Sequence, residues 1–176
     1  AIGSSKTNLE GKDGKHIGIV EVFGTHADKE GKEKWERVGQ PLFGEHAMEG
    51  FGGSVSLSKD GKFLAVGAVF GGGPVRVYQL RKVNDHGLKE LEWDLYGRAL
   101  GQELDSKEHF GAQVQLNHDG TLLAVGAPGS PELLELYDPV PESMQSFLHG
   151  KAYMYEFKEE NKQWVESGNA TSVYKG

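Results

Sequence analysis

The sequence predicts an all-β protein built from repeated four-stranded antiparallel sheets. The main support is a duplication, because FGGSVSLSKDGKFLAVGA at 51–68 returns without a gap as FGAQVQLNHDGTLLAVGA at 110–127. The chain also contains 26 glycines in 176 residues, and no long segment keeps the 3.6-residue apolar period of a helix. Repetition in a glycine-rich chain without helix signals favours an array of β-sheets.

Each whole unit of the repeat contains four segments with strand character, which the first unit illustrates in chain order. The segment KWERVGQPLF opens the unit, and GGSVSLS follows with the alternation that a half-buried strand requires. Asp60-Gly61 predicts a tight hairpin turn, since glycine accepts positive φ and aspartate tolerates it. KFLAVGAVF is nearly continuous in apolar residues, which is typical of a strand covered on both faces, and VRVYQL alternates again as an outer strand would.

Shorter signatures extend the repeat towards both ends of the chain. A tryptophan with a glycine four residues on marks three positions, at Trp35, Trp93 and Trp164. An alternating run that closes on an aromatic residue occurs three times, at Phe23, Tyr78 and Tyr155. The opening residues AIGSS match the end of LAVGA, so we expect the chain to begin inside a unit. The predicted order is a half unit at 1–23, whole units at 34–80 and 92–157, and the start of another unit at 164–176.

Four antiparallel strands whose inner members are apolar on both faces are typical of the blades of a β-propeller. Neighbouring blades must approach closely, and the glycines that would allow this are Gly52, Gly67, Gly111 and Gly126. Phe51 and Phe110 would fill the space between blades. The sequence therefore predicts two complete blades plus partial blades, which form an incomplete propeller. Because the end blades would expose flat apolar faces, we expect remaining blades or a larger complex to cover them.

The FG and LAVGA elements, the Asp-Gly between them and the closing GxVxVY together resemble FG-GAP repeats over residues 1–168. Such repeats form the propeller of integrin α subunits and that of glycosylphosphatidylinositol-specific phospholipase D, so the resemblance implies a propeller here. Integrin-type repeats often hold calcium between the FG and the GAP through several oxygen ligands. LSKDGKF and LNHDGTL each offer one carboxylate in that place, so we expect neither a metal nor another cofactor.

Composition narrows the functional classes. With 19 basic and 26 acidic residues the formal charge is −7, which argues against a nucleic-acid partner bound through its phosphates. No apolar stretch is long enough for a transmembrane segment, and the absence of cysteine excludes disulfides and thiol nucleophiles. The histidines are scattered and Ser54 lies in no nucleophile elbow, so the sequence predicts no catalytic residues and no enzyme. The start at Ala1 predicts a processed or truncated N-terminus on a soluble protein, and it favours an extracytoplasmic or organellar location.

The second whole unit carries an insertion at 128–149, PGSPELLELYDPVPESMQSFLH, where the first unit spends only VFGG. Its apolar side chains are more numerous than a solvent loop requires, and four prolines limit its flexibility. The candidate partner-docking residues are Leu133, Leu134, Leu136, Tyr137, Met144, Phe147 and Leu148. The segment either folds over the protein's own surface, presents an apolar patch to a protein partner, or is disordered.

These observations predict a non-catalytic protein–protein interaction module or scaffold, as part of a larger propeller protein or as a peripheral subunit of a larger assembly. One alternative is an accessory propeller of an enzyme whose catalytic domain lies outside this chain. The other is a cation-dependent adhesion or ligand-binding domain that uses the acidic residues before each FG. Those residues are Glu45, Glu49, Glu103, Asp105 and Glu108.

Overall fold

The computed structural model describes residues 1–6, 17–68, 70, 73–85, 88–130, 133–168 and 171–172, with the backbone alone for 84–85, 88–89, 134 and 171–172. The described chain is all-β, as predicted, and its four sheets are antiparallel, with none of them closed. Its helical segments are short, with α1 at Leu133–Leu136 and 3₁₀ turns at Ser106–Glu108 and Glu142–Leu148. Within these residues, no helix has the length and apolar character needed to cross a membrane.

Strand pairing follows the chain from the first sheet to the third. The first sheet has the order β1 (Ile2–Ser4), β2 (Ile19–Glu21) and β5 (Leu42–Phe43). After β2 the chain forms the first hairpin, from β3 (Phe23–Ala27) and β4 (Glu33–Arg37). The second sheet has the order β6 (Phe51–Leu57), β7 (Phe63–Ala68), β8 (Arg76–Asp85) and β9 (Leu88–Leu95). The third sheet has the order β10 (Gln113–Leu116), β11 (Leu122–Ala127), β12 (Lys151–Lys158) and β13 (Gln163–Glu166), and β14 (Thr171–Ser172) also pairs with β12.

The two copies of the duplicated stretch occupy equivalent places in their sheets. Val55 of β6 pairs with Val66 of β7, and Val114 of β10 pairs with Val125 of β11. In the first sheet, β1 pairs with β2 in the same register as β7 pairs with β8 and β11 pairs with β12. The equivalent pairs are Ile2 with Glu21, Val66 with Arg76, and Val125 with Tyr153. Residues at the same register position can therefore be compared directly across the three sheets.

Each tryptophan strand pairs with the strand that precedes it along the chain. The equivalent pairs are Thr25 with Trp35, Leu80 with Trp93, and Phe157 with Trp164. A short reversal joins each tryptophan strand to its partner, and strands joined in this way form hairpins. The sheets are consequently offset by one strand from the sequence units at 34–80 and 92–157, since the second sheet spans 51–95.

Among the described residues, the buried apolar side chains form two clusters that lie between the sheets. Phe51 is fully buried in the first cluster, with residues of the first and second sheets, and Phe110 is buried in the second cluster, with residues of the second and third sheets. On β7, Leu64 and Val66 belong to the first cluster while Ala65 belongs to the second. The prediction that this strand is covered on both faces is therefore confirmed. Burial of each phenylalanine ring stabilises the fold by about 2–3 kcal/mol.

Neighbouring sheets approach each other closely where β6 lies against β1 and against β10. At these places the backbones leave no room for a side chain. A Cβ placed on Gly3 would collide with the Gly52 carbonyl, and a Cβ on Gly67 would collide with the Gly111 carbonyl. Gly52 and Gly111 have φ values of +84° and +86°, which residues with side chains rarely adopt. Both partners in each close approach must therefore be glycine.

Among the described residues, only one face of the third sheet is covered. On β11 the side chains of Leu123, Val125 and Ala127 are buried, whereas Leu122 is exposed and Ala124 is half-buried. The almost identical β7 sequence is buried from Leu64 to Ala68. The difference follows from the presence of a neighbouring sheet and not from composition.

Candidate functional site

The insertion at 128–149 is fastened to the loop that precedes Phe110. Ser130 is buried, and its hydroxyl donates to the Lys107 carbonyl at 2.8 Å while its N–H donates to the Phe147 carbonyl at 2.7 Å. The Lys107 ammonium lies 5.4 Å from the centre of the Phe147 ring, which is a cation–π contact. These contacts hold both ends of the insertion at one place on the protein surface.

The candidate docking residues divide into buried and exposed ones. Leu133 is buried at the start of α1, and its carbonyl accepts the Tyr137 N–H at 3.0 Å. Leu136 is 69% exposed and Tyr137 is 40% exposed. The half-buried members are Met144, Phe147 and Leu148, and the side chain of Leu134 lies outside the described residues. The segment thus lies on the protein's own surface and still presents apolar side chains to solvent.

The first group of acidic residues has partners inside the fold. Glu49 is buried, and one of its carboxylate oxygens accepts the N–H groups of Glu45 at 2.7 Å and His46 at 3.0 Å. Its other oxygen is paired with Arg76, which is also buried and whose guanidinium lies 5.5 Å from the centre of the Phe51 ring. Removal of one partner from such a buried pair costs about 3–5 kcal/mol. The pair therefore ties the loop before Phe51 to β8.

The second copy uses the same acidic position with a different partner. Glu108 accepts hydrogen bonds from the Tyr153 hydroxyl at 2.7 Å and from the Lys151 ammonium at 3.0 Å. Tyr153 takes the place in β12 that Arg76 takes in β8. Burial, followed by the hydrogen bond to Glu108, raises the pKa of the Tyr153 hydroxyl above its ordinary value. Glu108 consequently anchors its loop to the third sheet by a neutral hydroxyl and an ammonium.

Asp60 and Asp119 lie in the turns predicted from Asp-Gly, and both accept hydrogen bonds from their own turn. Asp60 accepts from the Ser58 hydroxyl at 2.8 Å and the Lys62 N–H at 3.1 Å, and the hydrogen bond from the Lys62 side chain is the largest cause that lowers the pKa of Asp60 to about 2. Asp119 accepts from the Thr121 hydroxyl at 2.6 Å. Among the residues that the structure describes, no three His, Asp or Glu side chains are grouped closely enough to hold a metal ion.

The described geometry defines an all-β repeat protein whose duplicated motif lies in the same register in two sheets. Neither a model of a known protein family nor a curated protein matches this chain. Sequence reasoning missed the pairing of Glu49 with Arg76, because 27 residues separate them and no local pattern marks the contact. It also missed the exposure of Trp35, which depends on what lies beside the first hairpin.

Proposed function

We propose that this protein is a non-catalytic protein-binding scaffold whose sheets are consecutive blades of an FG-GAP-type propeller. The blade assignment is supported by the shared register of the three sheets and by the position of β6 between β1 and β10. Apolar clusters on both faces of the second sheet supply the packing that neighbouring blades require.

The exposed side chains of Leu136 and Tyr137 carry the docking part of the proposal. They are adjacent at the end of α1, and the insertion that bears them is anchored through Ser130 and Lys107. An aromatic residue beside an aliphatic one on an ordered support is a typical anchor for a protein partner, since little freedom is lost when the partner binds. A protein partner therefore contacts Leu136 and Tyr137 through its own apolar surface.

The double variant Leu136→Ser, Tyr137→Ser tests this role because it removes apolar contact area without changing a buried residue. We expect its affinity for the partner to fall by about tenfold or more, as loss of an aromatic anchor does. Partners are captured from the source cells under mild conditions, and the recovered protein is then titrated against purified wild type and variant.

Leu95→Ser is the matched control, because it also removes an exposed apolar side chain. Leu95 is 51% exposed and belongs to β9 of the second sheet, outside the insertion. This variant should bind the partner as the wild type does. Equal affinity of all three proteins would contradict the docking role of the insertion. A catalytic turnover by the purified chain would contradict the non-catalytic assignment.

A further inference from the structure

A tryptophan seated over a glycine joins the second sheet to the first hairpin. Trp93 is buried, and a Cβ placed on Gly39 would lie 2.6 Å from its indole ring. The Trp93 indole N–H donates to the Val38 carbonyl at 2.8 Å. We call the glycine and the residue before it the tryptophan seat.

The same contact joins the third sheet to the second. Trp164 is buried, and a Cβ placed on Gly97 would lie 2.9 Å from its indole ring. Its indole N–H donates to the Tyr96 carbonyl at 2.9 Å. The acceptor is again the residue before the glycine, so one contact is used twice.

A third tryptophan seat is formed by Ser167 and Gly168. The N–H of the residue before each glycine donates to the strand paired with the tryptophan strand. These bonds run from Val38 to Val22 at 2.8 Å, from Tyr96 to Val77 at 2.7 Å, and from Ser167 to Met154 at 2.7 Å. Gly168 is exposed, and no described atom lies within 4 Å of the place where its Cβ would be. The third seat therefore has the backbone of the other two, but the described residues place no tryptophan on it.

The described residues also leave the face of the third sheet beside this seat uncovered. Met154 is 44% exposed, although Val22 and Val77 are buried at the same position of the earlier sheets. At Gly126 the nearest described atom to an added Cβ is the Gln113 Cβ at 3.5 Å, whereas the equivalent Gly3 and Gly67 meet a carbonyl. Both observations indicate room for one more sheet.

The opposite end of the molecule exposes the complementary residues. Trp35 is 72% exposed, although Trp93 and Trp164 are 3% and 2% exposed at the same register position. Ile2 is 66% exposed, whereas Val66, its equivalent in β7, is fully buried. This end therefore carries a tryptophan that has no seat among the described residues.

We propose that a second copy of this chain docks head-to-tail on the first, with its Trp35 over Gly168 and its indole N–H donating to the Ser167 carbonyl. The vacant seat and the exposed tryptophan are the two halves of a contact that the chain makes twice within itself. The face that fits the third sheet is thus the chain's own first sheet and first hairpin. Ile2 of the second copy packs against Met154 of the first in this contact, as Val66 and Val22 pack in one cluster inside the molecule.

A contact between two different faces is heterologous, so each complex retains one free face of each kind and grows into a ring or a filament. Self-association uses the repeated contact between sheets and not the insertion. Loss of self-association and loss of partner binding are therefore separate results, obtained with different variants.

The first test is the molar mass of the wild-type chain, measured by light scattering and sedimentation over about a hundredfold range of concentration. We expect the mass to rise with concentration, and Trp35→Ala or Met154→Glu to weaken association by about tenfold or more. Both residues are exposed, so dilute samples of the variants should unfold at the wild-type temperature. Leu95→Ala, which changes an exposed residue of β9 in the second sheet, is the control and should associate as the wild type does.

Mixing the two variants distinguishes a head-to-tail contact from a face-to-face one. Trp35→Ala retains the third seat and Met154→Glu retains the tryptophan, so an equimolar mixture should recover a complex of two chains that grows no further. A mixture that stays monomeric while the wild type associates would overturn the head-to-tail arrangement. A wild type that stays monomeric throughout, or that associates equally well after Trp35→Ala, would overturn the proposal itself.

Discussion

Gly3, Gly67 and Gly126 hold the same register position in β1, β7 and β11, but their surroundings differ. The first two lie against the carbonyl of Gly52 or Gly111, which belongs to the backbone of the next sheet. For Gly126 the described residues give an ordinary contact, with the Gln113 Cβ at 3.5 Å. At the scale of the residue, the neighbouring sheet decides whether glycine is needed, although the sequence motif is the same.

Gly67→Ala should destabilise the protein and Gly126→Ala should not. The new methyl group at residue 67 would overlap the Gly111 carbonyl, and relief of such overpacking costs about 1–3 kcal/mol. At residue 126 the methyl group fits, so the change in the free energy of unfolding should stay within about 0.5 kcal/mol. Thermal and denaturant unfolding of dilute samples measures both. Similar losses in the two variants would contradict this account of the close approach.

The strand β10 is held at the edge of its sheet by side chains of the neighbouring strand β6. The Val114 N–H donates to the Ser54 hydroxyl at 2.9 Å, and the Leu116 N–H donates to the Ser56 hydroxyl at 3.0 Å. Two serine hydroxyls thus satisfy donors that would otherwise need another strand. At the scale of the element, the serines satisfy the edge of β10, so the second and third sheets pack face to face without backbone pairing between β6 and β10.

Ser56→Ala should leave the buried Leu116 N–H without its acceptor. An unsatisfied buried donor costs about 1–3 kcal/mol, so the free energy of unfolding should fall by that amount. Gln113→Ala is the control, because Gln113 lies on the exposed face of β10. Hydrogen exchange at the Leu116 amide is a second readout and should accelerate in Ser56→Ala alone. Unchanged stability and exchange would show that the serine is not needed at this edge.

The elements that sequence patterns predicted are those whose signals are local. Alternation and the Asp-Gly turns predicted β6, β7, β10 and β11, and the duplication predicted their equivalence. The strand that pairs with each tryptophan strand was not predictable. The sequence pattern of a tryptophan strand is the same whether it pairs with the strand before it or with the strand after it in the chain. The contacts that anchor the loops were not predictable either, because they join residues far apart in the sequence. Ser130 contacts Lys107 across 23 residues, and Tyr153 replaces Arg76 as the partner of the loop glutamate in the second copy.

At the scale of the whole molecule, each of the two apolar clusters between the sheets contains a largely buried tyrosine. Tyr78 lies in the first cluster and Tyr155 in the second. Burial is the main cause that raises the pKa of Tyr78 to about 12 and that of Tyr155 to about 12. The protonation of these residues is therefore coupled to the packing of one sheet on the next.

The free energy of unfolding should fall as the pH rises from about 10 to about 12. In the unfolded chain these hydroxyls ionise near their ordinary pKa of 10, whereas in the folded protein they keep their protons until about pH 12. The unfolded state binds fewer protons in this window, so linkage makes stability decrease with pH. Below about pH 10 both states are protonated, and tyrosine contributes no slope there.

Thermal unfolding across this window, followed by circular dichroism and by tyrosinate absorbance, measures the effect. Tyr78→Phe keeps the buried ring and removes the hydroxyl. Between about pH 10 and about pH 12, its free energy of unfolding should therefore fall less than that of the wild type, by on the order of 1–2 kcal/mol. Tyr137→Phe changes an exposed ring and should decline as the wild type does. Because Tyr78 is buried between the first and second sheets, its ionisation should coincide with their separation. A tyrosinate signal that rises fully before the sheets unfold, or a Tyr78→Phe curve parallel to the wild type, would show that packing between the sheets does not control alkaline stability.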